Sequence, residues 1–212
     1  MRNSLLILIS GLILVFVSGT IPATACVSMD DYGDAPDTYS TLWASGGAFH
    51  GISGLYLGFG VSDEFDGQPS SFADADFDDG VALPNELVQG STAWIGVTSS
   101  LAGTLNAWID FNGDGDWGDA GEWIFHDISL ASGINTLSLD IPISAFLGFT
   151  YARFRLNSTG GLNYDGAAFD GEVEDYMVEI TNPVPAPAAI ILFGMGLLGL
   201  AGVGRKKITK LE

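Results

Sequence analysis

Thr104-Leu-Asn-Ala-Trp108-Ile-Asp110-Phe-Asn112-Gly-Asp114-Gly115-Asp116-Trp117-Gly-Asp119-Ala-Gly-Glu122 reads as a strand running straight into an oxygen-rich turn. Asp110, Asn112, Asp114 and Asp116 recur at every second position, and Gly115 sits where a tight turn needs it. Asp119 and Glu122 follow as further carboxylates. Calcium takes six to eight hard oxygens from a coiled loop of this kind. The spacing departs from an EF-hand: the twelfth loop position is Gly121, and Glu122 comes one later. No amphipathic helix flanks the loop, and Asn106 to Ile109 looks like a strand. The run therefore places cation chemistry on a turn of a β protein. The expected ligands are Asp110, Asn112, Asp114, Asp116, Asp119 and Glu122, and the expected cofactor is calcium. Zinc or copper would want His or Cys, and the domain offers only His50 and His126. The alternative is a solvated acidic turn with no metal.

Outward from this turn the chain is short strands between glycine- and aspartate-rich turns. The best strand candidates are Ala93 to Ser99, Thr104 to Ile109, Asn135 to Ile141, Tyr151 to Leu156 and Asp175 to Ile180. Leu137, Leu139 and Ile141 fall on one face of their strand. Ala152, Phe154 and Leu156 fall on the face opposite Tyr151, Arg153 and Arg155. No stretch inside the domain has a convincing helical period. The expected class is all-β, an antiparallel β-sandwich with an acidic N-terminal extension. That extension, looser and richer in Asp, Ser and Gly, is expected to pack on the sandwich and not to fold alone.

Both ends carry apolar segments. Arg2, the run Leu5 to Val17 and Ala23-Thr24-Ala25 fit a cleaved signal peptide over residues 1–25. An uncleaved anchor is one alternative, and lipidation of Cys26 is another. As the lone cysteine, Cys26 leaves no disulfide to staple the fold. At the other end Pro183-Val184-Pro185-Ala186-Pro187 is stiff and extended. Ala188 to Gly204 is apolar and reaches roughly 25 Å as a helix, the short end for a transmembrane span. Arg205-Lys206-Lys207 would stay cytoplasmic, leaving the domain outside. The expected division is residues 1–25, an acidic loop-rich segment 26–92, the sandwich 93–182 and a sorting tail 183–212.

Charge narrows the partners. The chain has 26 acidic residues and a net charge of −19. All the acids except Glu212 lie between the apolar ends, where Arg153 and Arg155 are the basic residues. Nucleic acid is excluded as a plausible partner. The excess charge destabilises a compact state, and bound divalent cations would relieve it; solvated acids adapted to salt are the bland alternative.

Asp74, Asp76 and Asp78 form a second alternating acidic run, a candidate second metal site or a solvated loop. Asp31, Asp34 and Asp37 are read as turn makers. Glu172, Glu174 and Asp175 have two readings: completing a cation site, or structural ion pairing. The second is preferred, with Glu172 and Glu174 sharing one strand face and Arg153 and Arg155 another. Two arginines among so many acids need nearby partners if buried.

Two resemblances follow from these residues. Val184-Pro-x-Pro187, then Ala-Ala, Leu-Phe-Gly-x-Gly-Leu-Leu-Gly-Leu-Ala-Gly and a basic tail, resembles the PEP-CTERM sorting signal. Ala186 stands where the family name places Glu. The resemblance implies processing by an exosortase-type enzyme in a Gram-negative bacterium that makes exopolysaccharide, with Val184, Pro185 and Pro187 as the sorting motif. Trp108-Ile-Asp-Phe-Asn-Gly-Asp-Gly-Asp-Trp117, Gly121-Glu122, the strand with Arg153 and Arg155, and Asp170-Gly-Glu-Val-Glu-Asp-Tyr176 together resemble the GEVED domain over roughly Trp94 to Ile180. Asp31-Tyr-Gly-Asp-Ala-Pro-Asp37, Gly47-Ala-Phe-His50 and Asp63-Glu-Phe-Asp-Gly-Gln-Pro69 resemble the segment that often precedes it. The family implies a secreted β-sandwich with binding or structural roles and no known catalysis.

The leading expectation is a non-enzymatic, calcium-stabilised surface or matrix protein. It would pass through an inner-membrane-anchored intermediate held by the C-terminal helix. The runner-up is a calcium-dependent adhesin module for exopolysaccharide or another surface protein, with Trp43, Trp117 or Trp123 exposed to stack on sugar. A carboxylate-based glycoside hydrolase is a remote third. No Gly-x-Ser-x-Gly turn, paired His motif or phosphate loop supports an enzyme.

Overall fold

Alternation along one long strand sets the architecture. In Gly148–Asn157 (β9), Ala152, Phe154 and Leu156 are fully buried in the main apolar core. The computed structural model describes residues 30–184. The expected signal peptide, Cys26, Pro185, Pro187 and the C-terminal transmembrane segment lie outside the described residues.

β9 is a central strand of the larger sheet. Gly103–Ile109 (β6) and Glu172–Thr181 (β11) flank it antiparallel, and Trp123–Leu130 (β7) and Leu87–Val88 (β4) close the edges. The facing sheet contains Val81–Ala82 (β3), Thr92–Ser99 (β5) and Gly133–Asp140 (β8). Ile95, Val97 and Leu139 from that sheet meet Leu105, Ala107, Ile109 and Phe154 from the other. This is the expected β-sandwich, antiparallel except where β4 joins β11 in parallel. The strands at 92–99, 103–109, 133–140, 148–157 and 172–181 contain the expected runs almost whole. Ile141 lies just beyond its strand yet is buried beside Leu139, as its alternation predicted.

The opposite face of the large sheet is also buried. Arg153 and Arg155, which alternate with the core residues of β9, are fully buried. The cover is Asp30–Tyr32 (β1), Phe49–Gly51 (β2) and Ala167–Ala168 (β10), which form a small third sheet. Two short 3-10 turns at Asp37–Tyr39 and Trp43–Ser45 join β1 to β2. A second apolar cluster of Ala35, Tyr39, Trp108, Trp117, Leu162 and Ala168 fills this outer interface. Trp108 reaches it because it alternates with Ala107 and Ile109 along β6. The acidic extension is thus a third layer, and the Asp110–Glu122 turn sits at the end of β6 where that layer meets the sandwich.

Candidate functional site

The turn after β6 uses its six expected ligands in two ways. Asp110 is fully buried, and its carboxylate accepts hydrogen bonds from the Tyr39 hydroxyl (2.7 Å), Gly113 N–H (2.6 Å) and Gly115 N–H (3.0 Å). Glu122 accepts from the N–H groups of Phe111 (3.2 Å), Asn112 (3.4 Å) and Asp119 (3.2 Å). Burial, with the nearby Asp110 and Asp119 charges, pushes the Glu122 carboxyl up to about 7. These two residues frame the loop. Gly115, at φ +97°, takes the left-handed bend that an L side chain resists.

Asp114, Asp116 and Asp119 are the ones that converge. One carboxylate oxygen from each lies within 4.8 Å of the others, all exposed. Asn112 stands beside them, donating to Asp114 Oδ2 (3.0 Å) and Asp119 Oδ2 (2.7 Å). The structure therefore brings four of the six residues together at the loop tip and sets Asp110 and Glu122 beneath them.

The run Asp74, Asp76, Asp78 does not form one group. Asp74 accepts from the Ser70 hydroxyl at 2.6 Å, and Asp78 accepts from the Asp175 N–H at 3.0 Å. Asp76 instead joins Asp31 and Glu64, whose oxygens approach within 4.8 Å of one another. Alternation failed as a guide because this segment is not a strand; its side chains need not share faces. Asp31 and Asp34 also do more than make turns. Asp31 Oδ2 accepts the Val173 N–H at 2.6 Å across 142 residues. Asp34 Oδ2 accepts from the N–H groups of Ala75 and Asp76. Asp37 does make a local turn, accepting from Leu42 N–H and the Ser45 hydroxyl. Burial above all, with like charges nearby, pushes Asp31 well above the usual carboxylate range, Asp34 to about 7 and Asp78 to about 11.

The expected pairing of Arg153 and Arg155 with Glu172 and Glu174 is corrected by strand register. In the β9–β11 ladder Glu174 lies opposite Phe154 and Glu172 opposite Leu156, on the core side. Arg153 lies opposite Asp175, on the outer side. The ion pair there is bidentate: Arg153 Nε to Asp175 Oδ1 and a second nitrogen to Oδ2, each 2.7 Å. The other donors of Arg153 reach the carbonyls of Tyr39, Ser40 and Tyr164 and the Thr41 hydroxyl. Its guanidinium lies 4.6 Å from the Trp117 ring centre, a favourable cation–π approach. Asp175 Oδ2 also accepts from the N–H groups of Asp34 and Ala35 (2.9 Å each). Gly33 passes directly over this pair, and a Cβ there would collide with Asp175 Oδ2.

Glu172 and Glu174 bind backbone instead. Glu172 accepts the Leu57 N–H, and Glu174 accepts from Asp79 N–H (3.0 Å), Gly80 N–H (2.7 Å) and the Tyr176 hydroxyl (3.0 Å). Arg155 finds no carboxylate. It donates to the carbonyls of Asn163, Asp165 and Gly166 and, through Nε, to His50 Nε2 at 3.0 Å. An arginine only donates, so His50 Nε2 accepts and Nδ1 carries the proton toward the Asp170 carbonyl at 2.8 Å. Burial, then the Arg155 charge, holds the His50 pKa well below its ordinary value. His50 carries no sequence signal for this role; a lone histidine shows neither its burial nor its partner.

The strand that turns at Gly171 and threads Glu172, Val173, Glu174 and Asp175 through these contacts is decisive for identity. Residues 104–179 match the model of the GEVED domain. The chain carries a GEVED domain. Residues 183–206 match the PEP-CTERM protein-sorting motif. No curated protein matches the chain. The GEVED match spans β6 to β11 and stops short of β5, whose Ile95 and Val97 complete its core. The sorting motif implies an exported protein, surface or extracellular, processed by an exosortase-type system. Val184, at the start of that motif, is fully accessible at 91 % exposure.

Proposed function

We propose that this GEVED protein is a non-enzymatic scaffold of the cell surface or extracellular matrix, stiffened by calcium in the loop after β6. The observation that carries the reading is the convergence of Asp114, Asp116 and Asp119 on a frame already fixed by Asp110 and Glu122. A loop pre-organised in this way loses little freedom on taking up an ion. Asn112 supplies a fourth oxygen by turning its amide, and water fills the rest of the shell that calcium requires. The Gram-negative envelope, the membrane-anchored intermediate and contact with exopolysaccharide belong to the same reading.

Calorimetry and thermal melts of the full chain in detergent test it. At calcium a hundredfold above its dissociation constant, stability rises by about 2.7 kcal/mol, a shift of several degrees. Asp114→Ala loses the share of that rise that the loop supplies. Absence of both heat and shift in the unaltered chain sinks the calcium reading.

One observation favours an adhesin as the second reading. Trp43 is 62 % exposed and lies 5.3 Å from the Phe49 ring, beside a shallow hollow floored by Gly46, Gly47 and Gly166. Trp117, by contrast, is buried, and Trp123 stacks on Trp108 and His126. Glycan-array binding separates the readings. A saccharide hit weakened at least about tenfold by Trp43→Ala, the loss of a typical aromatic hot spot, establishes the adhesin. An empty array favours the scaffold.

A further inference from the structure

A separate group of carboxylates lies between the N-terminal layer and the first half of β11, ahead of its short pairing with β4. Asp31 comes from β1, Glu64 from the loop after β2, and Asp76 from the loop before β3. One oxygen of each lies within 4.8 Å of the others. Oxygens bound to a single calcium lie up to about 5 Å apart, twice a Ca–O distance of 2.3–2.6 Å. Asp31 is 1 % exposed, and its Oδ1 is buried with no hydrogen-bond partner, while Oδ2 holds the Val173 N–H. An unpaired buried carboxylate oxygen is costly. The neighbours make it costlier: Asp76, Glu64 and Glu174 all act on Asp31 as like charges.

Among the described residues no side-chain cation is left to neutralise the group. Among the described residues the basic side chains beyond the histidines are Arg153 and Arg155. Arg153 is committed to Asp175, and Arg155 to His50 and main-chain carbonyls. The remaining contacts of the three carboxylates fix their positions without supplying charge. Glu64 Oε2 accepts the Tyr32 N–H (3.2 Å), and Asp76 Oδ1 accepts from the Ser62 hydroxyl and the Phe77 N–H (2.6 Å). Asp34 and Asp78 stand close by, each with one further buried oxygen lacking a partner. The donors are all oxygen, which suits calcium and disfavours zinc or copper.

We infer that Asp31, Glu64 and Asp76 form a second divalent-cation site, of calcium class, which pins the N-terminal layer and the 58–80 segment to the edge of β11. It is independent of the loop after β6. Its ligands come from three separate segments, so the ion acts as a cross-link. Asp31 carries the link onward through the Val173 N–H into the GEVED strand.

The test is calcium calorimetry on the full chain in detergent, with three proteins compared. The unaltered chain is expected to bind about two ions. Glu64→Gln is expected to bind one fewer, with the remaining affinity changed by less than about twofold; glutamine keeps an acceptor for Tyr32 N–H, so the strand is retained. The double variant Asp114→Ala, Asp119→Ala is expected to lose the other ion and keep this one. If Glu64→Gln binds as many ions as the unaltered chain, the site is refuted. If only the double variant matches the unaltered chain, the loop site fails and this one stands. Hydrogen exchange supplies a measurement free of folding defects in variants. In the unaltered chain and in Asp114→Ala, calcium is expected to slow exchange at the Tyr32 and Val173 amides at least about tenfold. Unchanged exchange at both overturns the proposal.

Discussion

Asp175→Ala is expected to destabilise the domain by about 3–5 kcal/mol, the cost of stranding a buried charge, and to lower the melting temperature by roughly 10 °C or more. The substitution leaves Arg153 fully buried with its bidentate partner gone. It also frees the N–H groups of Asp34 and Ala35, so the N-terminal layer loses its attachment at the same point. Glu172→Gln is the informative control. Burial, then the neighbouring Glu174 and Asp31 charges, pushes the Glu172 carboxyl up to about 11. It is therefore neutral at pH 7, and an amide of the same shape still accepts the Leu57 N–H. Its expected cost is under about 1 kcal/mol. Thermal melts followed by circular dichroism check both. Equal losses would show that the Arg153–Asp175 pair has no special weight.

Gly171→Ala is expected to have an effect of similar size through a different cause. Gly171 lies at φ +102°, a conformation L residues avoid. A Cβ there would be driven into the Leu156 carbonyl and would crowd His50 Nδ1 at 3.0 Å. Backbone strain of about 1–3 kcal/mol adds to overpacking of about 1–3 kcal/mol. The Leu156 carbonyl belongs to β9 and His50 to β2, so the damage spreads into two sheets. The expected readout is a lower melting temperature together with faster proteolysis between β2 and β3. A melting temperature within about 2 °C of the unaltered chain would show that the close approach is not needed.

These effects give the five letters of the motif separate jobs. Gly171 permits the close approach to β9. Glu172 and Glu174 tie down main-chain N–H groups of the 57–80 segment on the core side. Val173 is buried, and its N–H is held by Asp31. Asp175 neutralises Arg153 on the outer side.

The strands were legible because alternation is a direct imprint of a two-sided sheet. β7 was not, because its pattern is broken. Its pairing with β6 shifts register twice, and Asp127 within it sits at φ +51°. The two arrangements of the carboxylates in the loop after β6 were illegible for a chemical reason. A carboxylate that caps main-chain N–H groups, such as Asp110 or Glu122, is the same residue type as one that converges with others at the exposed loop tip. Pairing of Arg153 depended on whether its partner sat one residue earlier or later on β11. Glu174 and Asp175 are adjacent in sequence and on opposite faces of the sheet, so only register separates them. The grouping of Asp31, Glu64 and Asp76 unites three distant segments, and no local pattern foretells it.

β11 ends at Thr181, two residues before the matched sorting motif begins. Any tension on the tail therefore enters the domain along the axis of this one strand. β11 is paired with β9 over nine consecutive positions, and its opposite end is where β1 is fastened through Asp31. A pull between the two ends of the domain thus loads that ladder lengthwise, so that its hydrogen bonds bear the strain together and do not open one by one. The strand that carries the Gly171–Asp175 contacts is also the one that leads into the sorting motif.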